Sequence, residues 1–111
     1  MTVSEVERAA GGFCYLDAAA TGISGLIALA TGPRLVGLAK VAGAGSLAWS
    51  AVAPGRRRLQ VAAGVSAGLA AVDLISAFRP RLRAGQRVFR LTGAAFNAVF
   101  AMVHHEASRD I

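Results

Sequence analysis

Ionisable side chains stand inside otherwise apolar stretches of this chain: Asp17, Lys40, Asp73 and Arg90, with His104 and His105 at the end of the last stretch. An ion in hydrocarbon is costly, so such residues serve to pair, to carry a proton or to hold a ligand. Their depths sort them into two groups. Lys40 lies about six residues into its stretch and Asp73 about five from the end of its own, roughly 7–9 Å from one boundary at 1.5 Å per residue. Arg90 opens the next stretch at that same boundary. The spacing predicts an intramembrane ion network of Lys40, Asp73 and Arg90. Its uses are open: neutralising charge and orienting helices, gating, or holding a charged or quinone-like ligand. Lys40 and Arg90 snorkelling to headgroups is a further alternative. Asp17 falls near the opposite boundary, with His104 and His105. Asp17 and His104 form a candidate proton site or half of a metal site; a solvated helix end is the plainer alternative. Adjacent histidines point about 100° apart on a helix, so one ion does not readily take both. No phosphate loop, metal-binding cluster or nucleophile–base pair is legible, and no metal or cofactor is expected. A lone cysteine, Cys14, forms no internal disulfide.

The elements that must position these groups are four apolar stretches, at about 13–30, 35–53, 59–78 and 88–105. Each approaches the roughly 20 residues a bilayer crossing needs. Runs such as Val41–Ala53 and Leu91–Val103 show no polar face, which a helix on a soluble core would require. The expected fold is all-α: one integral membrane domain over residues 1–111, a four-helix transmembrane bundle with short loops. An alanine-rich soluble bundle inside an oligomer is the alternative. Gly32-Pro33 and Pro54-Gly55 mark two tight turns, Pro80 stops the third helix, and Ala84-Gly85 breaks the basic loop before the fourth. Residues 4–11 read as a short surface helix or a disordered start, with Ser4 and Glu7 in capping-box spacing. Glu5 and Glu7 stand where a signal peptide would carry cations, so the first stretch is expected to remain as an anchor. Small residues recur four apart at Ala18/Gly22, Ala39/Gly43, Gly64/Gly68 and Ala94/Ala98, a spacing that lets helix backbones approach. Packing within the bundle is one use; a homodimer seam at Gly64 and Gly68 is the sharper one. Asn97, in mid-span, is expected to bond across helices.

Composition agrees with a membrane class. Mean hydropathy is +0.54, and only 16% of residues are charged, against about a quarter in soluble domains. The net charge of +6 would suggest nucleic acid in a soluble chain. Here the arginines lie between apolar stretches without interleaved aromatics, so their expected partners are anionic lipid headgroups rather than nucleic acid. Arg8, Arg56, Arg57, Arg58 and Arg109 fall on one side, and Arg34, Arg79, Arg81, Arg83, Arg87 and Arg90 on the other. That balance gives no usable orientation signal. Trp49 and Tyr15 fall on the N-terminal side, as an interfacial belt would place them.

Gly37-Leu38-Ala39-Lys40, Gly43-Ala44-Gly45-Ser46-Leu47, Pro54 with the arginines after it, and Gly64 with Gly68 resemble the DoxX-like family of small four-helix membrane proteins. The resemblance covers mainly residues 34–70. It implies a four-helix bundle and at most a link to membrane redox systems. The first loop is shorter than the family's, and the first helix lacks the lysine often found near its end. Length alone also looks like that of small multidrug-resistance transporters, with Asp17 in place of their first-helix glutamate. Three functions are therefore expected, in this order: a non-catalytic accessory or self-associating subunit of a bacterial inner membrane, multi-pass and homo-oligomeric or bound to other membrane subunits; a small proton-coupled transporter using Asp17; and a quinone-binding subunit of a membrane redox system. An enzyme is the less expected class.

Overall fold

The computed structural model describes residues 2–32 and 34–111. Four helices follow one another: α1 (Val3–Thr31), α2 (Arg34–Val52), α3 (Arg56–Ala77) and α4 (Ala84–Arg109). α1 packs mainly on α2 and α3 mainly on α4, giving two hairpins that meet along a thinner seam. The N-terminus, the 53–55 turn and the C-terminus lie at one end, called here the terminal end. The 78–83 loop and the α1–α2 turn lie at the other, the loop end.

α1 starts on a capping box at Thr2 and Glu5, not at Ser4 and Glu7. Both pairs have the required spacing, but Thr2 comes first, so Ser4 is already helical. Residues 4–11 are thus the first turns of α1 rather than a separate helix. At 29 residues and about 1.5 Å each, α1 exceeds a hydrocarbon core of roughly 30 Å. Glu5, Glu7 and Arg8 project from its terminal end. Gly32 closes α1 at φ +76, where a side chain would strain; Pro33, assigned to the same turn, lies outside the described residues. α3 ends at Ala77, before Pro80. Ala84-Gly85 does not break the loop: α4 begins at Ala84, because Arg83 takes the N-cap position and Gln86 closes back on its backbone.

The inward faces repeat every three and four residues. On α3 they are Leu59, Ala62, Ser66, Leu69, Asp73 and Ser76. On α1 they are Ala10, Cys14, Asp17 and Thr21. This is the spacing of helices crossing at about +20°. What lies on those faces is unusual. Among the described residues, ten buried side chains are polar or charged and nine are hydrophobic. Most of the large apolar side chains stand outside, Leu35, Ile75 and Met102 among them, with Leu47, Leu59 and Leu69 the buried leucines. In water this arrangement would forfeit the main driving force of folding. In hydrocarbon it is the expected one, because polar groups must be satisfied inside.

α1, α2 and α3 are long and apolar enough to cross a membrane; α4 is not. The cause lies at its ends, in Arg87 and Arg90 at one and His104, His105, Glu106 and Arg109 at the other. Its middle outward face, with Val99 and Met102 exposed, is as apolar as the others.

Close backbone approach depends on Gly25 and Gly37, outside the pairs read from sequence, while of the paired glycines Gly43 packs against Leu69, 2.9 Å from a built Cβ. A Cβ on Gly37 would lie 2.8 Å from Leu29 N and 2.9 Å from Gly25 O. Gly64 and Gly68 face outward, with nothing within 4 Å of a built Cβ. Gly64→Ala and Gly68→Ala are therefore each expected to leave the monomer's stability unchanged or raise it by about 0.5–1 kcal/mol. Reversible unfolding in mixed micelles measures this. A loss at monomer dilution would mean these positions pack inside the bundle.

Candidate functional site in the seam

Two polar clusters occupy the seam between the hairpins. The first surrounds Asp17, which is 0% exposed. Its Oδ2 lies 2.7 Å from His104 Nε2 on α4 and accepts a 2.7 Å bond from Ser66 Oγ on α3. Its Oδ1 accepts from Thr21 Oγ1, one turn along α1, at 3.1 Å. Every strong donor within reach thus points at one carboxylate. His104 is equally buried, and its Nδ1 lies 3.7 Å from Cys14 Sγ. The proton in the 2.7 Å contact can sit on the imidazole as an ion pair, or on the carboxyl with a neutral imidazole. His104 is therefore not a solvated helix end, whereas His105, turned away on the same helix, is exposed. Three helices hold this cluster: α1, α3 and α4.

The second cluster lies nearer the loop end. Lys40 Nζ on α2 stands 2.8 Å from Asp73 Oδ1 on α3 and donates to Ser24 Oγ on α1 at 2.7 Å. Asn97 Nδ2 on α4 donates to Asp73 Oδ2 at 3.1 Å. The reversed amide would set oxygen against oxygen, which fixes the orientation. That leaves Asn97 Oδ1 buried without a hydrogen-bond partner. Lys40 and Asp73 are 4% and 0% exposed, so each ion has the other as its main compensation. All four helices contribute a group.

Arg90 is not part of this ion pair. Its Nη1 donates to Ser76 O at 2.8 Å, and Arg87 Nε donates to Ala77 O at 3.0 Å. Both guanidinium groups cap the C-terminal carbonyls of α3, where a cation is favoured. The depth estimate placed Arg90 correctly along the axis. It lacked the competition from the backbone carbonyls at the end of α3, while Asp73's oxygens are already engaged by Lys40 and Asn97.

The space around the clusters is uneven. Toward the terminal end Asp17 is closed off by an apolar knot of Ala10, Cys14, Leu47, Ala51, Leu59 and Ala62. Toward the loop end lie two cavities. The inner one, about 190 Å³, is bordered by Thr21, Ser24, Lys40, Asp73, Phe96 and Asn97. The outer one, about 280 Å³, shares Lys40 and Asp73 with it and reaches Thr31, Gly32, Gln86 and Arg90. A polar line thus runs from the loop end through both cavities to Thr21, then Asp17, then His104, and stops at the apolar knot.

Gly93 sits against this line: a Cβ there would meet Asp73 Oδ2 at 2.7 Å. Gly93→Ala is expected to push the carboxylate off Asn97 or Lys40, costing about 1–3 kcal/mol. The same unfolding assay reads it. A silent substitution would show that Asp73 has room to move.

Thr21, Ser24 and Ser66 were not singled out from sequence, and Cys14 only as a thiol without a disulfide partner. Their signal is positional: 14, 17, 21 and 24 share the inward face of α1, and 66 and 73 that of α3. No group of three or more histidine, cysteine or carboxylate side chains able to hold a metal occurs among the described residues. The sequence matches no known family profile and no curated protein, and the fold matches no solved structure.

Proposed function

We propose that the chain is a multi-pass membrane protein, with α4 crossing beside the other three helices, and that it couples a proton on Asp17 to movement of a small solute through the seam. One observation carries this reading: the Asp17–His104 pair lies between two hairpins, packed against an apolar knot toward one end and linked by the Thr21 hydrogen bond to the inner cavity toward the other. A proton carrier needs a buried carboxylate that one face can reach at a time. It also needs two bodies that can shift against each other, and the thin seam between α1–α2 and α3–α4 supplies that.

The test is uptake in proteoliposomes under an imposed pH gradient, screened with one panel of small organic anions and one of small organic cations. Wild type is expected to accumulate members of one panel. Asp17→Asn is expected to fall to the rate of protein-free vesicles while remaining monodisperse and helical. Unchanged uptake by Asp17→Asn would remove the proton role.

A second reading is favoured by Gly64 and Gly68, which open outward on α3 beside exposed Val61 and Ile75. This face suits a second copy or another membrane subunit. Gly68→Leu is expected to abolish self-association in fluorescence-transfer measurements while leaving the monomer folded. Retained association would remove this face as the interface. Membership of the DoxX-like group stays a proposal supported by the residues of α2 and α3 quoted above and by the four-helix order. Placement in a bacterial inner membrane is likewise a proposal, supported by the three apolar helices.

A further inference from the structure

We infer that the two adjoining cavities around Lys40 and Asp73 form a binding site for a small amphipathic anion: a carboxylate or phosphate group on a compact apolar body. The inference deepens the carrier reading by naming its substrate class. It rests on that reading only for transport, because binding requires the site alone.

Charge decides the sign of the ligand. Between Asp17 and Glu106 the sole acidic residue is Asp73, and Lys40 faces it at 2.8 Å. The uncancelled charge on the cavity wall is that of Arg90. At the same loop end of the bundle stand Arg34, Arg79, Arg81, Arg83 and Arg87, with no acid among them. A low-dielectric cleft lined by one sign of charge concentrates ions of the other sign and repels its own. Arg90 already gives one N–H to Ser76 O; a guanidinium carries five, in a fork suited to carboxylate and phosphate.

Shape and polarity decide the rest. The outer cavity holds about 280 Å³, near the lower limit of roughly 300 Å³ for ligand pockets. Ile27, Ala28, Val36 and Phe89 supply its apolar wall. Deeper in, Asn97 Oδ1 is buried without a partner, and Asn97 borders the inner cavity. An unsatisfied buried acceptor calls for a donor from a ligand or a water. The same residues explain why a cation is a poor occupant: it would enter past the arginines and meet an aspartate already neutralised by Lys40.

An anion of this kind has two sources, a free organic acid or an anionic lipid headgroup entering between α1 and α4. Calorimetry separates them, using the full chain in a nonionic detergent free of anionic lipid. Benzoate is expected to bind saturably and benzamidinium not to. Arg90→Gln, which also loses a cap, is expected to weaken benzoate about tenfold or more, the worth of a charge-assisted bond. Ala28→Phe leaves every charge in place and fills the outer cavity; it is expected to abolish binding. Binding of phosphatidylglycerol in nanodiscs, lost in both variants, without benzoate binding would assign the same site to a headgroup. Equal binding of benzoate and benzamidinium would overturn the inference. So would benzoate binding that neither variant changes, or no binding of benzoate or phosphatidylglycerol by folded protein. Binding without gradient-driven uptake would sink the carrier reading and leave this one standing.

Discussion

Asp17→Ala is expected to cost the folded bundle about 3–5 kcal/mol, the usual penalty for removing one partner of a buried ion pair. The loss is more than one hydrogen bond. Single side-chain bonds between membrane helices average about 0.6 kcal/mol and reach about 1.7. Ser66→Ala, which removes a bond between α3 and α1, should therefore fall within that lower range, and Thr21→Val, which removes a bond within α1, no higher. Asp17→Ala also strands His104, which is 0% exposed and has only Cys14 Sγ at 3.7 Å besides the carboxylate. The double variant Asp17→Leu/His104→Leu is expected to recover most of the loss, because a filled apolar seam strands nothing. Steric-trap or mixed-micelle unfolding measures all four. An Asp17→Ala cost near 0.6 kcal/mol would mean the pair adds no more than an ordinary hydrogen bond. It would then have no claim to a site held charged or proton-sharing at a cost.

The second large effect is expected at Gly37. A Cβ there meets the Leu29 side chain at 2.8 Å and also backbone that cannot swing aside, Leu29 N at 2.8 Å and Gly25 O at 2.9 Å. α1 and α2 must separate to admit it. Gly37→Ala is expected to cost about 3 kcal/mol, the upper end of ordinary overpacking, and Gly37→Val more. The sign is opposite to that expected at Gly64 and Gly68, although all three are helical glycines. Separation of α1 from α2 would also carry Lys40 away from Asp73, so solute binding should fall along with stability. A stable Gly37→Val variant with intact binding would show that the α1–α2 hairpin is looser than its geometry indicates.

The four helices were legible because apolar stretches and arginine knots alternate along the chain, whereas Ala84-Gly85, read as a loop break, opens α4. The partners were legible only by depth. Counting residues from each boundary set Lys40 level with Asp73, and Asp17 at the same end as His104, since depth along a straight helix follows from residue number. Azimuth was the missing coordinate. With most faces apolar, hydropathy gave no direction. Taking Asp73 as inward would have supplied it. Gly68, five residues earlier, then lies about 140° around α3 and must face out. Ser66, seven earlier, stays on Asp73's face, as observed. Arg90 shows the other limit: its partner is a backbone carbonyl at a helix end, which no side-chain pairing scheme considers. The cavities left no trace in the sequence, because they arise where two hairpins meet without filling the seam.

The account stands on α4 crossing the membrane beside α1, since only then is His104 held against Asp17 within hydrocarbon. Single cysteines at Ser4, Gly55, Arg81 and Asp110, each in a Cys14→Ala background, test this with a membrane-impermeant thiol reagent on sealed vesicles. Positions 4, 55 and 110 are predicted to share one reactivity, and position 81 to show the complementary one. Full labelling of both 81 and 110 from the same face would contradict the account, for α4 would then lie on the surface and the seam would not exist in the membrane.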